Sequence, residues 1–126
     1  MPGEHIEFGK ASEKEAAEFL RSQGYKILQI NYRTRFGEID IIARDKESIC
    51  FVEVKGRHSL CLGEPSEAVS FKKQSNIAKA AVCYLKLNNL LKHPARFDVL
   101  SILYRNNKAE VSLIKNAFEL NENLTI

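Results

Sequence analysis

The chain has 126 residues, of which 44% are hydrophobic and 28% are charged, and its formal net charge at neutral pH is +3. This composition is that of a folded globular protein rather than a disordered one, and the length predicts a single domain over residues 1–126. No apolar run reaches the roughly 20 residues of a membrane helix, no secretory signal is recognisable, and the three cysteines lack disulfide or zinc-site spacing, so we expect a cytoplasmic protein.

The first periodic segment predicts a helix over about residues 8–22. Apolar residues recur at helical spacing on one face, at Ala16, Phe19 and Leu20. Two starts agree with the sequence, namely a capping box formed by Ser12 and Glu15 or an earlier start near Phe8. In either case, Glu13 lies on the apolar face of the helix.

Strand-like segments follow at about 25–33, 37–44 and 48–57. The second segment alternates, with one predicted face consisting of Ile39, Ile41 and Ala43. The third segment also alternates, with one predicted face consisting of Ile49, Phe51, Glu53 and Lys55. The polar residues 44–48 predict a turn, so the last two segments form a hairpin. We expect Arg44 to pair with Ile49.

The second half of the chain begins with a predicted loop over residues 56–65, which contain two glycines and a proline. A long helix follows at about 66–92, with a predicted core stripe of Ile77, Ala80, Ala81, Tyr84, Leu85 and Leu91. Pro94 is expected to stop this helix, and a turn at Asn106-Asn107 joins two further strands, 97–104 and 109–115. The order α-β-β-β-α-β-β predicts an α/β fold with a mixed β-sheet flanked by helices.

The predicted hairpin carries acidic side chains within apolar strands. In the expected register, Asp40 lies opposite Glu53 and Glu38 lies opposite Lys55, all on one face. Two carboxylates about 5 Å apart repel by about 3 kcal/mol at an effective dielectric constant of about 20. A hard divalent cation such as Mg²⁺ or Mn²⁺ would relieve this repulsion and polarise a phosphodiester bound beside it.

These charges have two interpretations. In the structural one, Glu38 and Lys55 form a salt bridge, and Asp40 and Glu53 are solvated positions on a half-exposed sheet. In the functional one, the carboxylates bind a metal, Glu13 converges on them from the first helix, and Lys55 stabilises negative charge in a transition state. The functional interpretation gains support because charges within apolar strands are costly unless they are partnered.

The hairpin residues also resemble a known nuclease pattern. The segments Gly37-Glu38-Ile39-Asp40 and Phe51-Val52-Glu53-Val54-Lys55-Gly56-Arg57 are similar to the active-site motif of the PD-(D/E)XK nuclease superfamily. More narrowly, the chain resembles the bacterial YraN family of predicted endonucleases, which is related to archaeal Holliday junction resolvases. The similarity extends to blocks in the C-terminal part of the chain, at Arg96-Phe97-Asp98-Val99 and Asn116-Ala117-Phe118. It implies a restriction-endonuclease-like core.

The resemblance implies a role for each residue of the motif. Asp40 and Glu53 would bind the metal, with the backbone carbonyl of Val54 as a further ligand, and Lys55 would be the catalytic lysine. Glu13 would match the first-helix glutamate of the resolvase-like branch, where it binds the metal or positions water. The implied reaction is hydrolysis of DNA, branched or otherwise structured, that leaves a 5′-phosphate and a 3′-hydroxyl. The related resolvases act as dimers, so a homodimer is a further expectation.

Basic residues around these motifs are candidates for contacts with nucleic acid. The set consists of Arg33, Arg35, Arg57, Lys72 and Lys73. Its alternative interpretation is an ordinary solvated surface. Arg96 and Asp98 share one strand face and are expected to form a structural ion pair. An RNA substrate agrees equally with the sequence, and the alternative function is a non-catalytic nucleic-acid-binding module or a partner subunit on a nuclease scaffold.

Overall fold

Two helices and five strands occur in the predicted order. The computed structural model describes residues 2–57 and 70–118, with side chains from Ser12 onward. The elements are α1 (Pro2–Ser22), β1 (Lys26–Thr34), β2 (Gly37–Asp45), β3 (Ser48–Arg57), α2 (Phe71–Leu87), β4 (Ala95–Arg105) and β5 (Lys108–Phe118). The predicted loop at 58–65 and the predicted helical residues 66–69 lie outside the described residues.

The five strands form one mixed sheet in the order β1-β2-β3-β4-β5. Strands β3 and β4 are parallel, whereas the other neighbours are antiparallel. A parallel pair needs a crossover connection, and α2 lies within this one. The predicted α/β fold, a mixed sheet flanked by helices, is therefore confirmed, and it is compatible with a restriction-endonuclease-like core.

The two helices pack on opposite faces of the sheet, and each covers its own apolar cluster. The cluster under α1 includes Ala16, Ala17, Leu20, Ile41, Cys50 and Val52. The cluster under α2 includes Ile77, Ala81, Tyr84, Ile42, Ile49 and Phe51. Successive residues of β3 thus alternate between the clusters, as predicted. Each large side chain buried in this way contributes about 1.5–3 kcal/mol, so the sheet is held firmly between its two helices.

Both helices differ from the prediction at their ends. Helix α1 begins at Pro2, a residue favoured at the first helical position, so even the earlier predicted start, near Phe8, is too late. The predicted capping box is wrong because Ser12 lies inside the helix, 3% exposed, with its hydroxyl 3.4 Å from that of Tyr104. Helix α2 ends at Leu87 rather than near residue 92, because the chain turns at Asn89 with a φ of 56°.

The early end of α2 changes the predicted core stripe in one position. Leu91 lies beyond the helix and is 56% exposed, so its assignment to the core is wrong. The other predicted stripe residues are buried, namely Ile77, Ala80, Ala81, Tyr84 and Leu85. The strand turn at Asn106-Asn107 has the predicted form, with φ values of 52° and 61° at its two residues. Positive φ at both positions is the geometry that matches the twist of a hairpin.

The register of the β2–β3 hairpin is the predicted one. Arg44 pairs with Ile49, and the ladder continues to the pair formed by Ile41 and Val52. The pairing ends there, so the predicted pairs between residues 40 and 53 and between residues 38 and 55 do not form within the ladder. The two strands separate at this point.

The predicted alternation of β2 also breaks where the strands separate. Ile39 belongs to the cluster under α2, whereas Ile41 belongs to the cluster under α1, so the prediction that they share a face is wrong. Ile41 is the last residue of β2 that pairs with β3, so this pairing no longer fixes the face of Ile39. Asn31, which lies in β1 between the partners of Ile39 and Ile41, has a φ of 57°.

A second group of charges lies at the opposite end of β2 and is structural. Arg96 Nε lies 3.1 Å from Oδ2 of Asp98, which is fully buried, and Arg96 Nη2 lies 3.0 Å from Oδ2 of Asp45. The backbone N–H of Asn116 donates to Oδ1 of Asp98 at 2.9 Å. The expected Arg96–Asp98 ion pair is thus confirmed, and it ties β2, β4 and β5 together.

Candidate metal centre

The candidate site lies at the fork where β2 and β3 stop pairing. Asp40 and Glu53 are the first residues beyond the last pair of the ladder. Oδ2 of Asp40 accepts a hydrogen bond of 2.8 Å from the backbone N–H of Val54. A buried N–H needs an acceptor, and the departing strand no longer offers a carbonyl. The Asp40 side chain supplies the acceptor and is thereby fixed against β3.

Three carboxylates from two elements meet at this fork. Glu13 comes from α1, and Glu38 and Asp40 come from β2. One carboxylate oxygen of each residue lies within 4.8 Å of those of the other two, and this trio is the potential metal-binding group among the described residues. Glu13 reaches the fork because it lies one turn before Ala17 on the face that packs against the sheet. Carboxylate oxygens are the ligands that Mg²⁺ and Mn²⁺ prefer.

The groups around Asp40 at the fork disfavour its negative charge. Burial, together with the negative charges of Glu53 and Glu13, raises its pKa from the ordinary value of 3.8 to about 7. The N–H of Val54 and the ammonium of Lys73 oppose this change without cancelling it. Without a cation, this carboxyl group therefore keeps its proton to a higher pH than an ordinary aspartate does.

Glu53 is held by two lysines. Its side chain is 6% exposed, and its Oε1 lies 2.5 Å from Nζ of Lys73 and 3.6 Å from Nζ of Lys55. Lys73 lies in the first turn of α2, where its backbone N–H donates to the hydroxyl of Ser70 at 3.2 Å. The N-cap thus fixes the point from which Lys73 reaches across to the sheet.

The two lysines respond differently to this arrangement. Burial lowers the pKa of Lys55, and its contact with the like charge of Lys73 lowers it further. Burial acts in the same direction on Lys73, but its hydrogen bond to Glu53 and the charge of that carboxylate outweigh burial and raise the pKa of Lys73. Lys73 is therefore the principal counter-ion of Glu53, and Lys55 is the more weakly held of the two ammonium groups.

The structural interpretation of the hairpin charges is wrong in its details. In the described part of the chain, Glu38 lies 3.7 Å from Nε of Arg33, and Lys55 pairs with Glu53, so the expected Glu38–Lys55 salt bridge does not form. Asp40 and Glu53 are also not solvated positions, because Glu53 is buried and Asp40 is partly buried against Val54. These residues form an internal charged site.

The five basic residues predicted to contact nucleic acid occupy different environments. Arg33 is exposed on β1, Arg35 lies in the β1–β2 turn with its guanidinium 4.8 Å from the ring of the following phenylalanine, and Lys72 is exposed in α2. Lys73 turns toward the carboxylate of β3. Arg57 is only 9% exposed at the end of β3. The first three present charge to solvent, the side chain of Lys73 is partly exposed, and Arg57 lies mainly within the protein.

Two features of the site were missed by the sequence interpretation. It placed Glu38 opposite Lys55, whereas Glu38 shares the acidic group with Asp40, because the break in β2 cannot be read from the residue pattern. It also placed Lys73 only on a nucleic-acid surface, whereas Lys73 contacts Glu53. Ser70, three residues earlier, is an N-cap signal that could have assigned Lys73 to a first helical turn.

The fold and the fork together define an α/β protein with a carboxylate and lysine site between two strands of a mixed sheet. A family model described as "Uncharacterised protein family UPF0102" matches residues 12–102, a stretch that contains every residue of this site. The chain therefore belongs to the UPF0102 family, the YraN-like family that its motifs indicate.

Individual relatives are similar over nearly their whole length. A UPF0102 protein of Syntrophus aciditrophicus (strain SB) is 47% identical over 117 residues, which cover 93% of this chain and 92% of the relative. A UPF0102 protein of Acetivibrio thermocellus is 48% identical, with 87% and 89% covered, and one of Myxococcus xanthus is 42% identical, with 94% of each covered. Of the helices that the structure describes, neither is long and apolar enough to cross a membrane.

Proposed function

We propose that this protein is a metal-dependent endonuclease that hydrolyses phosphodiester bonds in branched or otherwise structured DNA. The observation that carries the proposal is the convergence of Glu13, Glu38 and Asp40 at the fork, where burial and neighbouring carboxylates raise the pKa of Asp40 to about 7. The ammonium groups of Lys55 and Lys73 lie beside this group, at Glu53. A strongly perturbed carboxyl next to a lysine pair is typical of functional sites. The resemblance of the motifs to the PD-(D/E)XK superfamily supports the same conclusion.

The residues at the fork fit a hard divalent cation, Mg²⁺ or Mn²⁺. The donors are carboxylate oxygens, and the pKa of Asp40 is raised because burial and the neighbouring carboxylates disfavour its charged form, which a cation would stabilise. Asp40 and Glu13 would hold the cation, together with Glu53 and the carbonyl of Val54 as the resemblance implies. A cation bound there would polarise the scissile phosphate and activate water.

The chain's own groups supply the rest of the reaction. Asp40 is held in place by the N–H of Val54, so its second oxygen is oriented before substrate arrives. Lys55 presents an ammonium on the Glu53 side of the fork, where it stabilises the added negative charge of the phosphorane-like transition state. Water attacks phosphorus and the bond to the 3′-oxygen breaks. Exposed cations such as Arg35 and Lys72 would bind flanking phosphates.

The test is cleavage of labelled junction, flap, single-stranded and linear duplex DNA, with matching RNA strands, in Mg²⁺, Mn²⁺ or EDTA. We expect cleavage of structured DNA in either cation and none in EDTA. Asp40→Asn and Lys55→Ala should each lower the rate by at least about a hundredfold while the circular dichroism spectrum is kept. Lys108→Ala, at an exposed residue of β5, is the matched control. Full activity of a clean Lys55→Ala preparation would refute the mechanism.

One observation favours a second function, a non-catalytic nucleic-acid-binding module. Lys73 already neutralises Glu53, so the fork can be a structural charge cluster without a metal. DNA binding that is unchanged by EDTA, with no cleavage of any substrate in either cation, would favour this function. The relation of Lys73 to the cation is therefore the next question.

A further inference from the structure

Lys73 contacts Glu53, a carboxylate that the motif resemblance implies as a metal ligand. Glu53 is the carboxylate of the motif on β3, yet its Oε1 lies 2.5 Å from an ammonium of α2. The two partners differ in mobility. The side chain of Glu53 is 6% exposed and fixed within the sheet, whereas that of Lys73 is 42% exposed and has an open path to solvent. Lys73 is the partner that can leave.

The charges at the fork make this departure favourable when a cation binds. Four carboxylates, those of Glu13, Glu38, Asp40 and Glu53, face three basic side chains, those of Arg33, Lys55 and Lys73. When all carboxyls are ionised, this group carries one net negative charge. A divalent cation added to the complete group would leave it positive, whereas withdrawal of Lys73 makes the loaded group neutral. Like charges at such short range repel strongly in a partly buried site.

We propose that Lys73 is an internal counter-ion that neutralises Glu53 in the cation-free protein and is displaced into solvent when a divalent cation binds. The inference rests on the proposed metal centre and assigns Lys73 a positioning role within it. Lys73 keeps the site compact and charge-balanced before loading, because a buried carboxylate without a partner is strongly destabilising. It also competes with the cation for Glu53.

After displacement, Lys73 could also contact a phosphate of the nucleic acid. Its backbone stays in the first turn of α2, which contains no acidic residue and where Lys72 is already exposed. The released ammonium would therefore join Lys72 as a phosphate contact beside the loaded site. Cation binding and DNA binding then favour each other. The cation displaces Lys73 from Glu53, and a DNA phosphate that binds the released ammonium keeps Lys73 away from Glu53.

The first experiment measures Mn²⁺ affinity by calorimetry, without DNA and at about pH 8, where the carboxyl groups are ionised. The variants are wild type, Lys73→Met, Lys73→Arg and Lys72→Met. Lys73→Met should bind roughly fivefold more tightly, the factor that corresponds to about 1 kcal/mol for a partly exposed ion pair. Lys73→Arg, which keeps the charge, and Lys72→Met, which removes the neighbouring exposed charge, should bind like wild type.

The outcomes separate this inference from the proposed function. If Mn²⁺ binds to wild type and binds equally or more weakly to Lys73→Met, the counter-ion role is wrong and the metal centre stands. If none of the variants binds Mn²⁺, both are wrong. A direct readout is the side-chain ammonium signal of Lys73 in ¹⁵N-lysine NMR, which should be visible without cation and lost on addition of Mg²⁺. Its persistence at saturating Mg²⁺ would overturn the displacement.

Discussion

Replacing Asp40 by asparagine is expected to stabilise the metal-free fold, by an amount that grows with pH. The raised pKa of Asp40 means that the folded protein binds this proton more tightly than the unfolded chain does. The group therefore contributes stability at acidic pH, and that contribution is lost as the pH rises from about 4 through about 7. Asparagine is neutral throughout, and its Oδ1 still accepts the hydrogen bond from Val54.

The size of the effect follows from the two pKa values. With 3.8 in the unfolded chain and about 7 in the folded protein, linkage predicts that wild type loses about 2.5 kcal/mol of unfolding free energy from this group between pH 5 and pH 8. Asp40→Asn does not lose it. The difference in stability between the two proteins should therefore shift by about 2.5 kcal/mol in favour of the variant over this interval.

The assay is urea unfolding in EDTA, followed by circular dichroism at several pH values between about 5 and 8. Asp45→Asn is the matched control: its hydrogen bond from Arg96 lowers the pKa of Asp45, so the contribution of that group is lost only below about pH 4, and the stability difference from wild type should stay constant between about pH 5 and 8. A stability difference between wild type and Asp40→Asn that stays constant with pH would refute the reasoning. Added Mn²⁺ should then stabilise wild type more than the variant at about pH 8.

Arg96→Met should lower the unfolding free energy by about 3–5 kcal/mol because it leaves the buried Asp98 unpaired. Arg105→Met, which breaks an exposed pair, should change it by less than about 1 kcal/mol, and equal losses in urea unfolding would contradict this. Asn107→Val should cost about 1–2 kcal/mol because its φ is 61°, whereas Asn107→Gly should cost nothing. Burial raises the pKa of Cys50 to about 11, so alkylation should be slow until the protein unfolds; rapid native labelling, mapped by mass spectrometry, would contradict this.

The parts of the fold that were predicted correctly are those set by local rules. The register of the β2–β3 hairpin follows from the turn between Asp45 and Ser48, because turn length and alternation together leave one pairing. The opposite faces of β3 follow from its alternation alone. The end of α2 was missed because the apolar residue Leu91 continues the helical spacing, although the backbone had already turned at Asn89.

The site was only partly predictable for a different physical reason. Asp40, Glu53 and Glu13 could be selected because a charge within an apolar pattern is visible in the sequence. Which charges contact one another depends on where the strands separate and on tertiary packing. The contact of Lys73 with Glu53 depends on how α2 is placed on the sheet. Such contacts bridge distant segments and leave no local periodicity.

The two buried aspartates of the sheet show why charge balance, more than burial, distinguishes a functional site here. Asp98 and Asp40 both interrupt apolar strands, so the sequence pattern treats them alike. The chain satisfies Asp98 completely, with a guanidinium from Arg96 and a backbone N–H from Asn116. It gives Asp40 a single backbone N–H and surrounds it with further carboxylates, and the two lysines that act on it as counter-charges, Lys55 and Lys73, both contact Glu53. The fold neutralises one buried carboxylate with its own arginine and leaves the other short of positive charge, and this difference is the physical basis of the proposed cation site.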